Sequence, residues 1–272
     1  NLMVATGVDD SGGFLLESPK RPMTIRDLTR HTSGLANSVD HPIVGTQLKE
    51  LDPLNRDNRL ADAVEKFSQL PLMFHPGEQW AYGPSVDVQA HIVERLSEMN
   101  FADYLDQNVL RPLKMNETRY VVPEMDRDRL AAVYWRDDQT PAGWGLTSTI
   151  DNYMRFARTL LNEGELEGVR ILKAETVQAM ATNQLSNEVT ERSWLPSKGQ
   201  VGFGIDLAVR LQPPASNEEN KGVVGEFFWD GAASTLFWVD PQNELAVVLF
   251  VQLRPFDKVG LHKAFRDAVY GS

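Results

Sequence analysis

Residues 75–98 read HPGEQWAYGPSVDVQAHIVERLSE and set Trp80, Ala81 and Tyr82 between a Pro-Gly turn and a strongly periodic helix. A phenol at a helix entrance is either a packing ring or an acid–base group, and on composition alone packing is the simpler account. A free phenol titrates near pH 10, so service as a base near pH 7 requires a shift of about 3 units, roughly 4 kcal/mol in favour of the phenolate. Only a close cation can supply that. The other chemistry-bearing residues offer less. The five histidines, His31, His41, His75, His91 and His262, form no H-E-x-x-H or other tight ligand pair, so no metal is expected. Ser33-Gly34 lacks the upstream glycine of a G-x-S-x-G elbow and reads as a turn. Carboxylates are abundant, but no spacing singles out an acid–base pair.

The elements that must position these residues are legible in part. Thr24-Ile25-Arg26-Asp27 has the form of a capping box and starts a short helix that stops at HTSGL. A helix near 59–69 carries Leu60, Val64 and Phe67 on one face. Gly83-Pro84 suits a helix entrance with Pro84 in the first helical position, followed by Val88, Ile92 and Leu96 at four-residue spacing. Another helix begins near Asn100, with Phe101, Leu105 and Val109 inward, and ends before Pro112. Ser148-Thr149-Ile150-Asp151 repeats the capping-box pattern ahead of Tyr153, Phe156, Ala157 and Leu160. Residues 24–182 are thus expected to form a helical lobe.

From about residue 200 the period changes to two, with Phe203, Ile205, Leu207, Val209 and Leu211 as one half-buried strand. Strands at 223–229, 232–239 and 245–251 follow, the last two joined by the turn Asp240-Pro241-Gln242-Asn243. A closing helix, with Leu261, Phe265 and Val269 apolar, is expected to pack on this antiparallel sheet. The fold class is α/β of the α+β type: residues 200–272 form the sheet and closing helix of a single domain spanning 1–272.

Composition narrows the function further. The 272 residues carry a formal net charge of −11 with scattered basic residues, which disfavours a nucleic-acid partner. No run approaches the roughly 18 apolar residues of a membrane span, and the N-terminal stretch is not a signal peptide. The chain has no cysteine, hence no disulfide, thiol nucleophile or zinc-thiolate site. A soluble protein is expected, cytoplasmic or else periplasmic or secreted, with its oligomeric state undetermined.

Three stretches together carry more. RPMTIRDLTRHTSGL (21–35), WAYGPSVDVQAHIVERLS (80–97) and FFWDGAASTLFWVDP (227–241) occur in the order seen in the serine β-lactamase-like family, which includes class C β-lactamases, D-Ala-D-Ala peptidases and related esterases. LRPLKMNETRYVVP (110–123) and GWGLTSTIDNYMRFARTLL (143–161) extend the resemblance over nearly the whole chain. Members of that family acylate the serine of a Ser-x-x-Lys motif, share its proton with a tyrosine, and line the opposite wall with an edge-strand motif of the Lys-Thr-Gly type. The resemblance implies that Tyr82 is that tyrosine. It implies that Trp229, Asp230 and Gly231 are the third motif, lining the substrate site, and that the Ala232 N–H is an oxyanion donor. No cofactor or metal is implied.

Three departures shape the expectation. Pro84 stands where β-lactamases have a substrate-binding Asn, and Trp229 replaces a cation that would attract a carboxylate. Both point to neutral esters, so the expected activity is a serine hydrolase acting on small-molecule carboxylic esters. A β-lactamase or D-amino-acid peptidase acting on amides, and a non-catalytic scaffold, are the alternatives. The third departure is that none of the nine lysines is preceded by serine at the third position back; the nearest match is Thr46-Gln47-Leu48-Lys49. The nucleophile is therefore expected in an N-terminal part that precedes Asn1. The stretch around Thr140 also reads as shorter than its counterparts in the family.

Overall fold

A computed structural model describes residues 2–55, 57–132, 134–135, 145–193 and 200–271; the stretch around Thr140 lies outside the described residues. The chain opens with β1 (Val4–Val8), β2 (Phe14–Glu17), α1 (Ile25–Thr29), α2 (Gly45–Leu51), α3 (Leu60–Ser68), β3 (Trp80–Ala81) and α4 (Ser85–Ser97). There follow α5 (Phe101–Leu105), a π-turn at Asp106–Leu110, β4 (Tyr134–Trp135), α6 (Ile150–Leu161), the hairpin β5 (Glu165–Leu166) and β6 (Val169–Arg170), and α7 (Ala174–Met180). The final stretch holds β7 (Arg192–Ser193), β8 (Val201–Phe203), β9 (Ala208–Arg210), β10 (Phe227–Asp230), β11 (Leu236–Asp240), β12 (Leu245–Leu249), β13 (Leu253–Arg254) and α8 (Leu261–Tyr270).

Two compact units result. The first comprises Asn1–Phe101 with Gln184–Lys198 and Phe203–Asp206. It contains the β1–β2 hairpin, α1 to α4, and the parallel pair β3–β7. Its apolar interior gathers Ala5, Ala36, Val44, Leu48, Phe67 and Leu70, with a neighbouring cluster of Val4, Leu28, Leu35 and Leu72. The capping box at the start of α1 forms as its residue types dictate: the Thr24 hydroxyl accepts from the Asp27 N–H, and the Asp27 carboxylate accepts from the Thr24 N–H. Pro84 is the N-cap of α4, one place ahead of the first-turn position its ring suggested.

The second unit comprises Ala102–Asn183, Gly199–Gly202 and Leu207–Ser272. Its sheet runs in the order β12-β11-β10-β9-β8, with β9 to β12 paired antiparallel. One face of the sheet, with Val209, Phe227, Phe237, Val239 and Val248, is buried with Ala157 and Leu160 of α6. The expected strand 203–211 is broken into β8 and β9, because Asp206 adopts a left-handed backbone (φ 52°) between them. Nor is it half-buried: Ala208, Val209 and Arg210 are all buried. The cap of α6 is Thr149, whose hydroxyl accepts from the Asn152 N–H, rather than Ser148. The 240–243 turn forms with the Asp240 carboxylate accepting the N–H groups of Gln242 and Asn243.

The inward face of α8 differs from the apolar stripe expected. Leu261, Phe265 and Val269 are only half-buried, whereas His262 and Arg266, four residues apart, are buried. The reason lies across the sheet. Glu226, fully buried, accepts from Arg210 Nε at 2.8 Å and from Arg266 Nη1 at 2.9 and 3.1 Å. The Arg266 guanidinium also lies 4.3 Å from the Trp238 ring centroid and 5.1 Å from that of Phe228. The Tyr270 hydroxyl accepts from Trp238 Nε1 at 3.0 Å and lies 3.0 Å from both the Glu226 and Asp240 carboxylates. One hydroxyl proton serves those two acceptors, so the network is shared rather than fully paired.

Candidate active site

Tyr82 enters the first unit directly after β3, whose Ala81 N–H donates to the carbonyl of His31. His31 sits just past the end of α1 with a left-handed backbone (φ 55°), the place a helix commonly gives to glycine. Its imidazole is buried among Trp80, Tyr82 and Phe203, with ring centroids at 6.0, 4.7 and 5.4 Å. Burial lowers its pKa to about 4, so near neutral pH the ring against Tyr82 is uncharged. Beside it, 3.8 Å from Nε2, is the Asp206 carboxylate, which burial raises to about 6 and Gln89 Nε2 contacts at 3.1 Å.

The backbone around Tyr82 is fixed by close approaches. Asn37 Nδ2 donates to the Tyr82 carbonyl at 2.7 Å, and a Cβ on Gly83 would fall 2.6 Å from the Asn37 Cβ. Gly34 of HTSGL has φ 82°, and a Cβ there would lie 2.3 Å from the Phe74 carbonyl oxygen. Ser33 is buried, its hydroxyl 3.0 Å from that of Ser85, so the structure gives it an internal partner in place of a substrate. Pro84 is buried at the head of α4.

Asp27 anchors this segment. Its buried carboxylate accepts from Arg21 at 2.7 and 2.8 Å, from Arg30 at 2.9 Å and from the Thr24 and Thr32 hydroxyls. Burial alone would raise its pKa, but the hydrogen bonds from Arg21, Thr24 and Arg30 outweigh that and hold the carboxyl well below the usual range.

The third motif lies at the end of β10 in the second unit. The β10–β9 pairing ends at Phe228↔Ala208, whereas the pairing with β11 continues to Asp230↔Leu236. Alternation separates the motif's side chains. Trp229 packs with the α6 side of the sheet alongside Phe237, its cross-strand partner. Phe228 and Trp238 pair on the opposite face beneath Arg266 and form core there. Asp230 belongs to that second face. Burial raises its carboxyl to about 6, partly offset by nearby His262.

Strand β11 begins at Leu236 rather than at 232, leaving residues 231–235 as a turn. The Ser234 N–H donates to the Gly231 carbonyl at 2.9 Å, making Ala232 and Ala233 the central residues of a β-turn. Ala232 is exposed, and among the described residues its N–H has no acceptor. An exposed, unclaimed amide is chemically suited to bind an oxyanion. Among the described residues no three of His, Cys, Asp and Glu gather to hold a metal, and no helix is long and apolar enough to cross a membrane.

The sequence model described as Beta-lactamase matches residues 14–271. An uncharacterized protein of Mycobacterium tuberculosis is 34% identical over 273 residues, covering 91% of this chain and 67% of that protein. Monacolin J acid methylbutanoyltransferase of Aspergillus terreus is 25% identical, covering 98% and 71%. Lovastatin esterase of Penicillium rubens is 26% identical, covering 98% and 74%. Among solved structures, a mutant of simvastatin synthase (LovD) from Aspergillus terreus superposes with a TM-score of 0.79 at 24% identity, covering 99% of this chain and 73% of that one. That likeness carries the fold: a β-lactamase/transpeptidase-like arrangement of helices and antiparallel sheet.

Proposed function

The chain belongs to the beta-lactamase family, and we propose that the protein is a serine hydrolase that cleaves small carboxylic esters through an acyl-enzyme. The observation that carries this reading is the third motif: Trp229 stands in the place of a cation, and the exposed Ala232 N–H just beyond it has no acceptor among the described residues. A motif without a cation offers little to a substrate carboxylate and suits a neutral ester. Pro84, buried and without a donor, adds no amide contact. An esterase and an acyltransferase among the relatives support the same acyl chemistry.

In the proposed reaction a serine hydroxyl attacks the ester carbonyl carbon while its proton passes to the Tyr82 phenolate. The carbonyl oxygen becomes an oxyanion held by the Ala232 N–H and by the N–H of the nucleophile. The C–O bond to the alcohol breaks as Tyr82 returns the proton to the departing oxygen. Water then attacks the acyl carbon and gives a proton to Tyr82; the bond to the serine oxygen breaks as Tyr82 returns that proton to it, and the carboxylic acid leaves with the serine restored. Release to an alcohol instead of water would give acyl transfer by the same intermediate. Trp229 and Gly231 line the bound ester, whereas alternation along β10 sets the Asp230 side chain on the other face of the sheet. The reaction requires a Ser-x-x-Lys pair to supply the nucleophile and the cation beside Tyr82, and residues 1–272 contain no such pair.

The protein as encoded is expected to hydrolyse p-nitrophenyl acetate much faster than a chromogenic cephalosporin, because Pro84 and Trp229 remove two polar contacts that β-lactamases make. Side-by-side kcat/KM values check this. Preference for the cephalosporin would sink the ester reading.

A further inference from the structure

The turn that carries Ala232 is held more firmly than a surface turn requires. Ser234, fully buried, has a left-handed backbone (φ 66°), a conformation that non-glycine residues seldom adopt and that persists only when its surroundings enforce it. Four hydrogen bonds do so here. Besides the Ser234 N–H to Gly231 bond, the Ser234 hydroxyl donates to the Leu253 carbonyl at 2.8 Å and accepts from the Asp257 N–H at 2.9 Å. The fourth comes from α8: His262 Nε2 lies 2.9 Å from the Ser234 carbonyl oxygen. A carbonyl only accepts, so Nε2 carries the hydrogen. His262 is itself buried, its backbone N–H bound by the Asp257 carboxylate and its ring edge-on to Phe256.

Of the two central alanines Ala232 is exposed and Ala233 half-buried, its carbonyl accepting from the Leu253 N–H at 2.9 Å, and neither side chain calls for a buried imidazole beneath the turn. A polar ring in that place is explained by what the turn must present. We infer that His262 is a positioning residue: its hydrogen bond to the Ser234 carbonyl fixes the 231–234 turn so that the Ala232 N–H is held in the direction in which it receives the oxyanion. The inference rests on the acyl-enzyme reading above and names the residue on which that site's alignment depends. His262 does not touch substrate. It acts through two residues of backbone, with the strained Ser234 transmitting the constraint.

The test uses the protein as encoded, titrated with a fluorophosphonate so that only folded, reactive molecules are counted. With p-nitrophenyl butyrate, His262→Met, which fills much of the volume without a donor, is expected to lower kcat about 10- to 100-fold, since a whole oxyanion donor is worth about 100- to 1,000-fold. KM should stay within about threefold, and affinity for phenylboronic acid, which mimics the tetrahedral species, should fall by the same factor as kcat. His262→Gln, which returns an N–H toward Ser234, should recover kcat to within about fivefold of the parent. A kcat for His262→Met within about threefold of the parent, or equal losses in both variants with unaltered boronate affinity, overturns the inference.

If His262→Met does not fold, His262→Phe carries the test. It keeps an aromatic ring against Phe256, removes the donor to the Ser234 carbonyl, and is expected to lower kcat at least about tenfold in step with boronate affinity; an unchanged kcat overturns the inference. A parent enzyme that the fluorophosphonate does not label contradicts the acyl-enzyme reading itself. A labelled parent with an unaffected His262→Met contradicts only the positioning role.

Discussion

Tyr82→Phe is expected to leave the fold intact and to lower kcat by about two to four decades, the usual contribution of a general acid–base group. The ring contact with His31, 4.7 Å between centroids, survives the substitution, and the Asn37 hydrogen bond is to the Tyr82 backbone carbonyl, so packing and backbone are unchanged. The substitution removes the phenol hydroxyl and keeps the ring. Because the group acts in the transition state, kcat and kcat/KM should fall together while KM moves little. Steady-state kinetics beside a melting curve check this. Activity within about threefold of the parent, with the same melting temperature, would make Tyr82 a packing residue and remove it from the mechanism.

The largest stability effect is expected at Glu226, just ahead of Trp229 in the chain. Its carboxylate is fully buried and holds Arg210 and Arg266, themselves 4% and 2% exposed. Breaking a buried ion pair costs far more than forming it contributes, because a charge left without its partner has no water to turn to. Glu226→Gln leaves two buried guanidinium groups facing a neutral amide, and a loss of about 3–5 kcal/mol is expected, a large part of a typical total of roughly 5–15 kcal/mol. Urea unfolding followed by tryptophan fluorescence measures it. The effect should reach the site as well, since β10 carries the third motif and Arg266 follows His262 by one turn of α8. A loss below about 1 kcal/mol would mean that water or rearrangement satisfies the arginines and that this network is not what fixes α8 to the sheet.

What could be read from the sequence was whatever local chemistry decides. The capping box at Thr24 and Asp27, the Asp240 turn and the helix stripe of Leu60, Val64 and Phe67 need only residues within one or two turns of one another. The order of the HTSGL, Tyr82 and Trp229 stretches carried the family, and with it the fold. Long-range partners were not legible. The inward face of α8 reads as polar only once Glu226, 40 residues upstream of Arg266, is known to meet it. The break between β8 and β9 depends on the left-handed backbone of Asp206, which an alternating pattern conceals. The β1–β2 hairpin shows in the sequence only through its turn, Asp9-Asp10-Ser11-Gly12-Gly13, where the Asp9 carboxylate accepts from the N–H groups of Ser11 and Gly13. Exposed Leu15 and Leu16 hid its alternation. At the site, Ala232 came from the resemblance alone, and its setting in a clamped turn by His262 had no signal in the sequence.

The claim on which the rest depends is a covalent acyl-enzyme on a serine. Intact-mass measurement of the protein as encoded, quenched in acid during turnover of p-nitrophenyl butyrate, tests it most directly. A single added butyryl group per chain is expected, mapping by peptide analysis to a serine three residues before a lysine. Turnover without any adduct, or an adduct on any other kind of residue, would contradict it.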